Sequence, residues 1–165
     1  MGIIKTVSSG INSVISIWKI EETLDELRSI TKERPKIKNQ IKEKEYHASR
    51  AAVLNCFRKL GIKFSKIVKD SNGKPIIEGN NSNISISHKY PYAVSIVEKQ
   101  NECGIDIEKI DSKVLKIKNK FLSEDEAKHV GNSKIRATSF WAAKEAIYKI
   151  KGETIALKKI SVNYY

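Results

Sequence analysis

The stretch NISISHKYPYAVSIV, residues 83–97, constrains the fold more than any other part of the chain. Asn83 to Ser87, where apolar residues alternate with small polar ones, and the largely apolar Ala93 to Val97 flank the loop HKYPY, and that pattern predicts two strands of a small sheet. CGIDIEKI, which follows, predicts a third strand, and VISIWKI upstream another. FSKIVKD reads as a strand leading into DSNGKPII, where Asp, Asn, Gly and Pro make a turn before another extended segment.

Between and after these lie helical patterns. EETLDELRSI predicts a short helix. A longer helix runs from about residue 37 to Leu60, carries Ala51, Leu54, Phe57 and Leu60 inward and closes on Gly61. Ser123 followed three residues later by Glu126 is a capping box for a third helix. A fourth spans Lys134 to Lys151 and closes on Gly152, after which IALKKISVNYY reads as a final strand. With 165 residues, the chain can fill one good core, or two small lobes sharing one.

The net charge of +12 predicts attraction to polyanions, whether nucleic acid, an anionic membrane, a phosphorylated metabolite or an acidic protein. The lysines are scattered along the chain, so charge alone does not choose among these. There is no apolar run of membrane-spanning length and no long apolar stretch of a secretory signal, which points to the cytoplasm. Cys56 and Cys103 are too few for a disulfide framework and read as free thiols.

Two positions stand out. Asp106 and Glu108 alternate in GIDIEKI, so on a strand they share one face. Glu145 sits four residues after Trp141 and four before Lys149 on the Lys134–Lys151 helix. Alone, the first pair reads as the solvated face of an amphipathic strand and the second set as a core helix with a surface Glu-Lys pair.

Together they say more. GIDIEKI, then FLSEDE, then FWAAKEAIYKIKG, with ISISHKYPYA and NGKP upstream, resemble the 4'-phosphopantetheinyl transferase superfamily, particularly its Sfp-like branch. That family's Gly-x-Asp-x-Glu strand corresponds to Gly104, Asp106 and Glu108, and its Trp-x-x-Lys-Glu-x-x-x-Lys helix to Trp141, Lys144, Glu145 and Lys149.

The resemblance implies an α/β fold of the α+β kind: two similar lobes, each a small antiparallel sheet packed with helices, the second incomplete. Residues 1–103 would form the lobe that binds coenzyme A and 104–165 the lobe with the metal site and the catalytic helix. It implies transfer of the phosphopantetheine arm of coenzyme A to a serine of an acyl or peptidyl carrier protein, in fatty acid, polyketide or nonribosomal peptide biosynthesis. Asp106, Glu108 and Glu145 match the family's acidic metal ligands for Mg2+ or Mn2+. Three clustered carboxylates repel by several kcal/mol per pair at about 4 Å and an effective dielectric of about 20, and a cation relieves this. Glu145, Lys149 and Asp106 are the implied catalytic residues. Arg50, Gly73, Lys74, Pro75, Ser87, His88 and Lys149 are the implied coenzyme A contacts.

Two departures from the family pattern are visible. Its usual Ser-His-Ser becomes Ser87, His88 and Lys89, and the chain carries far fewer residues after the Lys-Glu helix than the Sfp-like branch does. A sheet left open at its edge pairs readily with another chain, so the short second lobe points to a homo-oligomer, to reduced stability or to a chain cut short. Two other functions remain open: a homologue that binds coenzyme A or carrier protein but is impaired in catalysis, and a basic nucleic-acid-binding domain. The second has the charge in its favour but no recognised reader motif.

Overall fold

A computed structural model describes residues 2–151 and 155–163. The fold is α+β, with an antiparallel sheet and packed helices. The chain begins with β1 (Ile3–Ser9) and β2 (Ser13–Lys19), followed by α1 (Leu24–Thr31) and the long α2 (Gln40–Leu60). A small hairpin, β3 (Ile67–Lys69) and β4 (Pro75–Ile77), precedes β5 (Asn83–Lys89) and β6 (Tyr92–Glu98). Three helices, α3 (Lys113–Phe121), α4 (Glu124–Val130) and α5 (Lys134–Lys151), and a 3-10 turn at Leu157–Lys159 complete the described part.

The main sheet has the order β1-β2-β6-β5 and is antiparallel throughout. Its inner face receives α2. Ala48, Ala51 and Ala52 let that helix approach closely and pack with Trp18, Ile20, Leu27 and Ala93, while Val53, Cys56 and Phe57 meet Val14, Ile84 and Val97. Polar groups in this contact are satisfied within it. Asn55 donates to Ser16 at 2.6 Å, and the Ser95 hydroxyl donates to the Ser49 carbonyl at 2.8 Å. Thr23 and Ser123 each cap a helix with a reciprocal Glu three residues on, as the Ser123–Glu126 spacing predicts.

Behind the sheet, α3, α4 and α5 enclose a second core of Phe121, Leu122, Val130, Ala137 and Phe140. Trp141 packs edge-on against Phe121, with ring centroids 4.8 Å apart. Lys144 is fully buried here, its ammonium donating to Glu126 at 2.6 Å, to the Phe121 carbonyl at 2.8 Å and to the Leu157 carbonyl at 3.3 Å. Glu126 in turn accepts from the Val162 amide at 3.1 Å, so one ion pair ties α4, α5 and the segment 155–163 together.

Four elements differ from the sequence expectation. Residues 104–110 form no backbone ladder and are an extended segment lying beside β5, not a strand. The stretch 155–163 is likewise no strand. Leu157 and Val162 pack against the second core, Ile160 is buried, and Leu157–Lys159 form a 3-10 turn. Gly152, Tyr164 and Tyr165, which the helix end and the final strand were expected to include, lie outside the described residues. Conversely, β1 and α3 were not anticipated. β1 carries no clean alternation, its apolar Ile4 and Val7 both being exposed, and the lysines of KVLKIKNKF mask the apolar side of α3. Among the described residues, the strands all precede Cys103, and the regular elements after it are α3, α4, α5 and the 3-10 turn.

Candidate active site

Gly104 is where the site is assembled. A Cβ on this residue would lie 1.9 Å from the Ala146 carbonyl oxygen and 2.7 Å from Ile150 Cγ1, so only glycine lets the segment press against α5. Two residues later, Asp106 meets the helix. Its Oδ1 accepts from Lys149 Nζ at 2.7 Å and from the Ser87 hydroxyl at 2.7 Å, and its side chain is only 6% exposed. Lys149 also donates to the Ile105 carbonyl at 3.0 Å. Asp106 Oδ2 is buried with no hydrogen-bond partner.

Glu145 lies one helical turn before Lys149. Burial pushes its carboxyl above the ordinary glutamate range, the negative charges of Asp106 and Glu108 push it the same way, and Lys149 opposes them. The three acids therefore sense one another. Glu108 pairs with Lys89 at 2.9 Å, and that carboxylate, together with hydrogen bonding, raises the lysine pKa.

An all-oxygen donor set with one orphaned buried carboxylate oxygen fits the oxygen-ligand preference of a hard divalent cation. Among the described residues, no three such side chains are gathered at coordinating distance. Asp106 is turned toward Lys149 and Glu108 toward Lys89, each acid neutralised by a lysine.

The expected coenzyme A contacts separate into two groups. Gly73, Lys74 and Pro75 line a cavity of about 250 Å³ together with Ile84, Tyr148 and Lys149. Gly73 has φ +82°, a conformation that glycine adopts at little cost, and Asp70 Oδ1 accepts from the Lys74 amide at 2.9 Å to fix the turn. Lys74 reaches the Ile150 carbonyl at 3.3 Å, which joins this turn to the end of α5.

Ser87, His88 and Arg50 do not join that cavity wall. Ser87 and His88 are neighbours on β5 and so point to opposite faces of the sheet. Ser87 faces Asp106, whereas His88 Nδ1 lies 3.3 Å from Glu45 of α2. Arg50 lies on α2 with its guanidinium 3.3 Å from the centre of the Tyr46 ring and Nε 3.2 Å from Glu33. That contact is close enough for an ion pair, but the Nε–H is not aligned for a hydrogen bond. Tyr46 donates to the same Glu33 oxygen, so a carboxylate occupies the place beside Arg50 that an anionic ligand would take.

A larger cavity, about 430 Å³, is lined by Glu108 together with Lys89, Lys113, Val114, Ile117 and Trp141. Sequence reasoning missed it because α3 was not foreseen. It also missed the structural use of Lys144, whose buried pairing leaves it no reach toward a ligand; the usable signal was Lys144 between Ala143 and Glu145 on a helix whose neighbours are apolar. Ser85, which accepts from the Ile105 amide at 3.1 Å, carried no signal beyond the alternation of its strand.

Residues 102–163 match the family model described as the 4'-phosphopantetheinyl transferase superfamily. The match takes in the acidic segment and all of α5, so this part of the chain is similar to that superfamily. No curated protein matches the chain. That similarity supports phosphopantetheinyl transfer as the general chemistry of the matched part. No helix among the described residues is long and apolar enough to cross a membrane.

Proposed function

We propose that the protein is a Mg2+-dependent 4'-phosphopantetheinyl transferase of the Sfp-like kind, which converts an acyl or peptidyl carrier protein to its holo form in the cytoplasm. The observation that carries this reading is the meeting of Asp106 with Lys149 beside Glu145, with one Asp106 oxygen buried and unpaired.

Asp106, Glu108 and Glu145 would hold the cation, which when bound supplies neutralising charge to the pyrophosphate of coenzyme A. The carrier serine oxygen attacks the phosphorus that bears pantetheine. The P–O bond to adenosine 3',5'-bisphosphate breaks, and that group leaves with the electron pair. Glu145, or a water held by the cation beside it, would receive the serine proton. Lys149 stands against the phosphate oxygens on which charge accumulates. Gly73, Lys74 and Pro75 would border the nucleotide in the cavity they share with Lys149, and Arg50 would exchange Glu33 for a phosphate of the donor.

The surplus of positive charge favours encounter with anionic coenzyme A and with an acidic carrier protein. The test is the mass of apo carrier proteins, from fatty acid and from peptide synthetase pathways, after incubation with the protein, coenzyme A and Mg2+. A gain of one phosphopantetheine arm, abolished by EDTA and by Glu108→Ala, is the expected result. No gain on any carrier, with coenzyme A still bound, would instead identify a binding homologue.

A further inference from the structure

The acidic segment has no backbone partner, yet its position is fixed. On β5, Ser85, Ser87 and Lys89 share the outer face of the sheet at the strand's two-residue repeat. The extended segment beside it has the same repeat, and the two run in step: the Ser85 hydroxyl accepts from the Ile105 amide at 3.1 Å, and the Ser87 hydroxyl accepts from the Ile107 amide at 3.3 Å. Lys89 completes the column by pairing with Glu108 at 2.9 Å. Both serines are buried.

Resting on the transferase reading, we infer that Ser85 and Ser87 are positioning residues that hold the acidic segment and aim Asp106, and that Ser87 serves this purpose instead of contacting coenzyme A. A hydroxyl carries one donor and two acceptor lone pairs, so Ser87 accepts from Ile107 while donating to Asp106 Oδ1 at 2.7 Å. Lys149 supplies the second donor to that same oxygen. Two donors converging on Oδ1 fix the plane of the carboxylate and leave Oδ2, buried and unpaired, as the atom presented to a ligand. Removing the Ser87 hydroxyl frees the carboxylate to rotate about its last bond and leaves the Ile107 amide without its acceptor.

The test uses the full chain and Mn2+ as the probe, with binding followed by electron paramagnetic resonance. Ser87→Thr and Ser87→Val form the pair to compare, because they share a shape and differ in the hydroxyl. Ser87→Val is expected to weaken Mn2+ binding about tenfold or more, as loss of a hydrogen bond to a ligating carboxylate does. It should lower kcat for transfer to an apo carrier without raising KM for coenzyme A, and Ser87→Thr should restore both. Amide exchange at Ile107 should quicken in Ser87→Val, and at Ile105 in Ser85→Ala, whether or not any ligand is present. A raised KM for coenzyme A with unchanged Mn2+ binding would overturn the inference and return Ser87 to the donor site. Equal behaviour of the Thr and Val variants, or unchanged exchange at Ile107, would overturn it while leaving the transferase intact. A wild-type protein that neither binds Mn2+ nor transfers would remove the reading and the inference together.

Discussion

Replacing Gly104 by alanine adds one methyl group at the closest approach between the acidic segment and α5. That methyl would stand 1.9 Å from the Ala146 carbonyl oxygen, whereas carbon and carbonyl oxygen ordinarily approach to about 3.3 Å. The oxygen belongs to helix backbone and cannot swing aside, so the segment itself must move by more than about 1 Å. Overpacking of this kind costs about 1–3 kcal/mol, which for a chain of this size lowers Tm by about 2–12 °C. The larger effect falls on the site. Asp106, two residues away, is held at 2.7 Å from Lys149, and a shift of about 1 Å carries it past hydrogen-bond reach. A misplacement of about 1 Å in a catalytic group costs about a hundredfold in rate. Thermal unfolding and carrier transfer should therefore be measured on Gly104→Ala beside Gly10→Ala, a position with φ +67° and open space around a Cβ, where strain acts far from the site. Both variants should lose some stability, and only the first should lose turnover. Full turnover in Gly104→Ala with an unchanged Tm would refute the packing of residues 104–110 on α5.

Lys144→Met should destabilise the protein by about 3–5 kcal/mol, because it strands Glu126 as a buried charge, and the loss is read from urea unfolding followed by circular dichroism. Burial by itself would raise the Glu126 carboxyl, but the bonds from Lys144, Ser123 and Val162 outweigh it and hold the pKa below the ordinary value of 4.5. The stability this contributes is present above the unfolded value and is lost as pH falls through the lower native one, so the urea midpoint should drop below about pH 4.5, more steeply in wild type than in Glu126→Gln. Burial pushes the thiols of Cys56 and Cys103 up to about 11 and about 12, so neither should react with iodoacetamide at pH 8 until the protein unfolds, and early labelling seen by mass spectrometry would contradict their burial.

What the sequence made legible were features whose signal is local. The two short runs flanking HKYPY in 83–97 yield β5 and β6 within two residues at each end, and the Ser123–Glu126 spacing yields the α4 cap, because each depends on residues near one another in the chain. Asp106 and Lys149 could be paired only through resemblance, since 43 residues separate them and nothing in either local pattern points to the other. What escaped were features set by contact. GIDIEKI has the alternation of a strand, yet the neighbouring edge answers it with the hydroxyls of Ser85 and Ser87, so the pattern is right and the ladder is absent. Ser87 and His88 look like one motif in the sequence, but the pleat sends one to Asp106 and the other to Glu45. Lys144 entered the sequence reading only as a member of the Trp-x-x-Lys-Glu-x-x-x-Lys pattern, although its burial against Glu126 closes the core behind the site. Lys149, one turn past Glu145, instead emerges where the segment passes, and the same helix thus carries one lysine buried in the second core and one paired with Asp106. Gly104 connects the two uses: without the close approach it permits, Lys144 could still anchor α5, but Lys149 would have no carboxylate to meet.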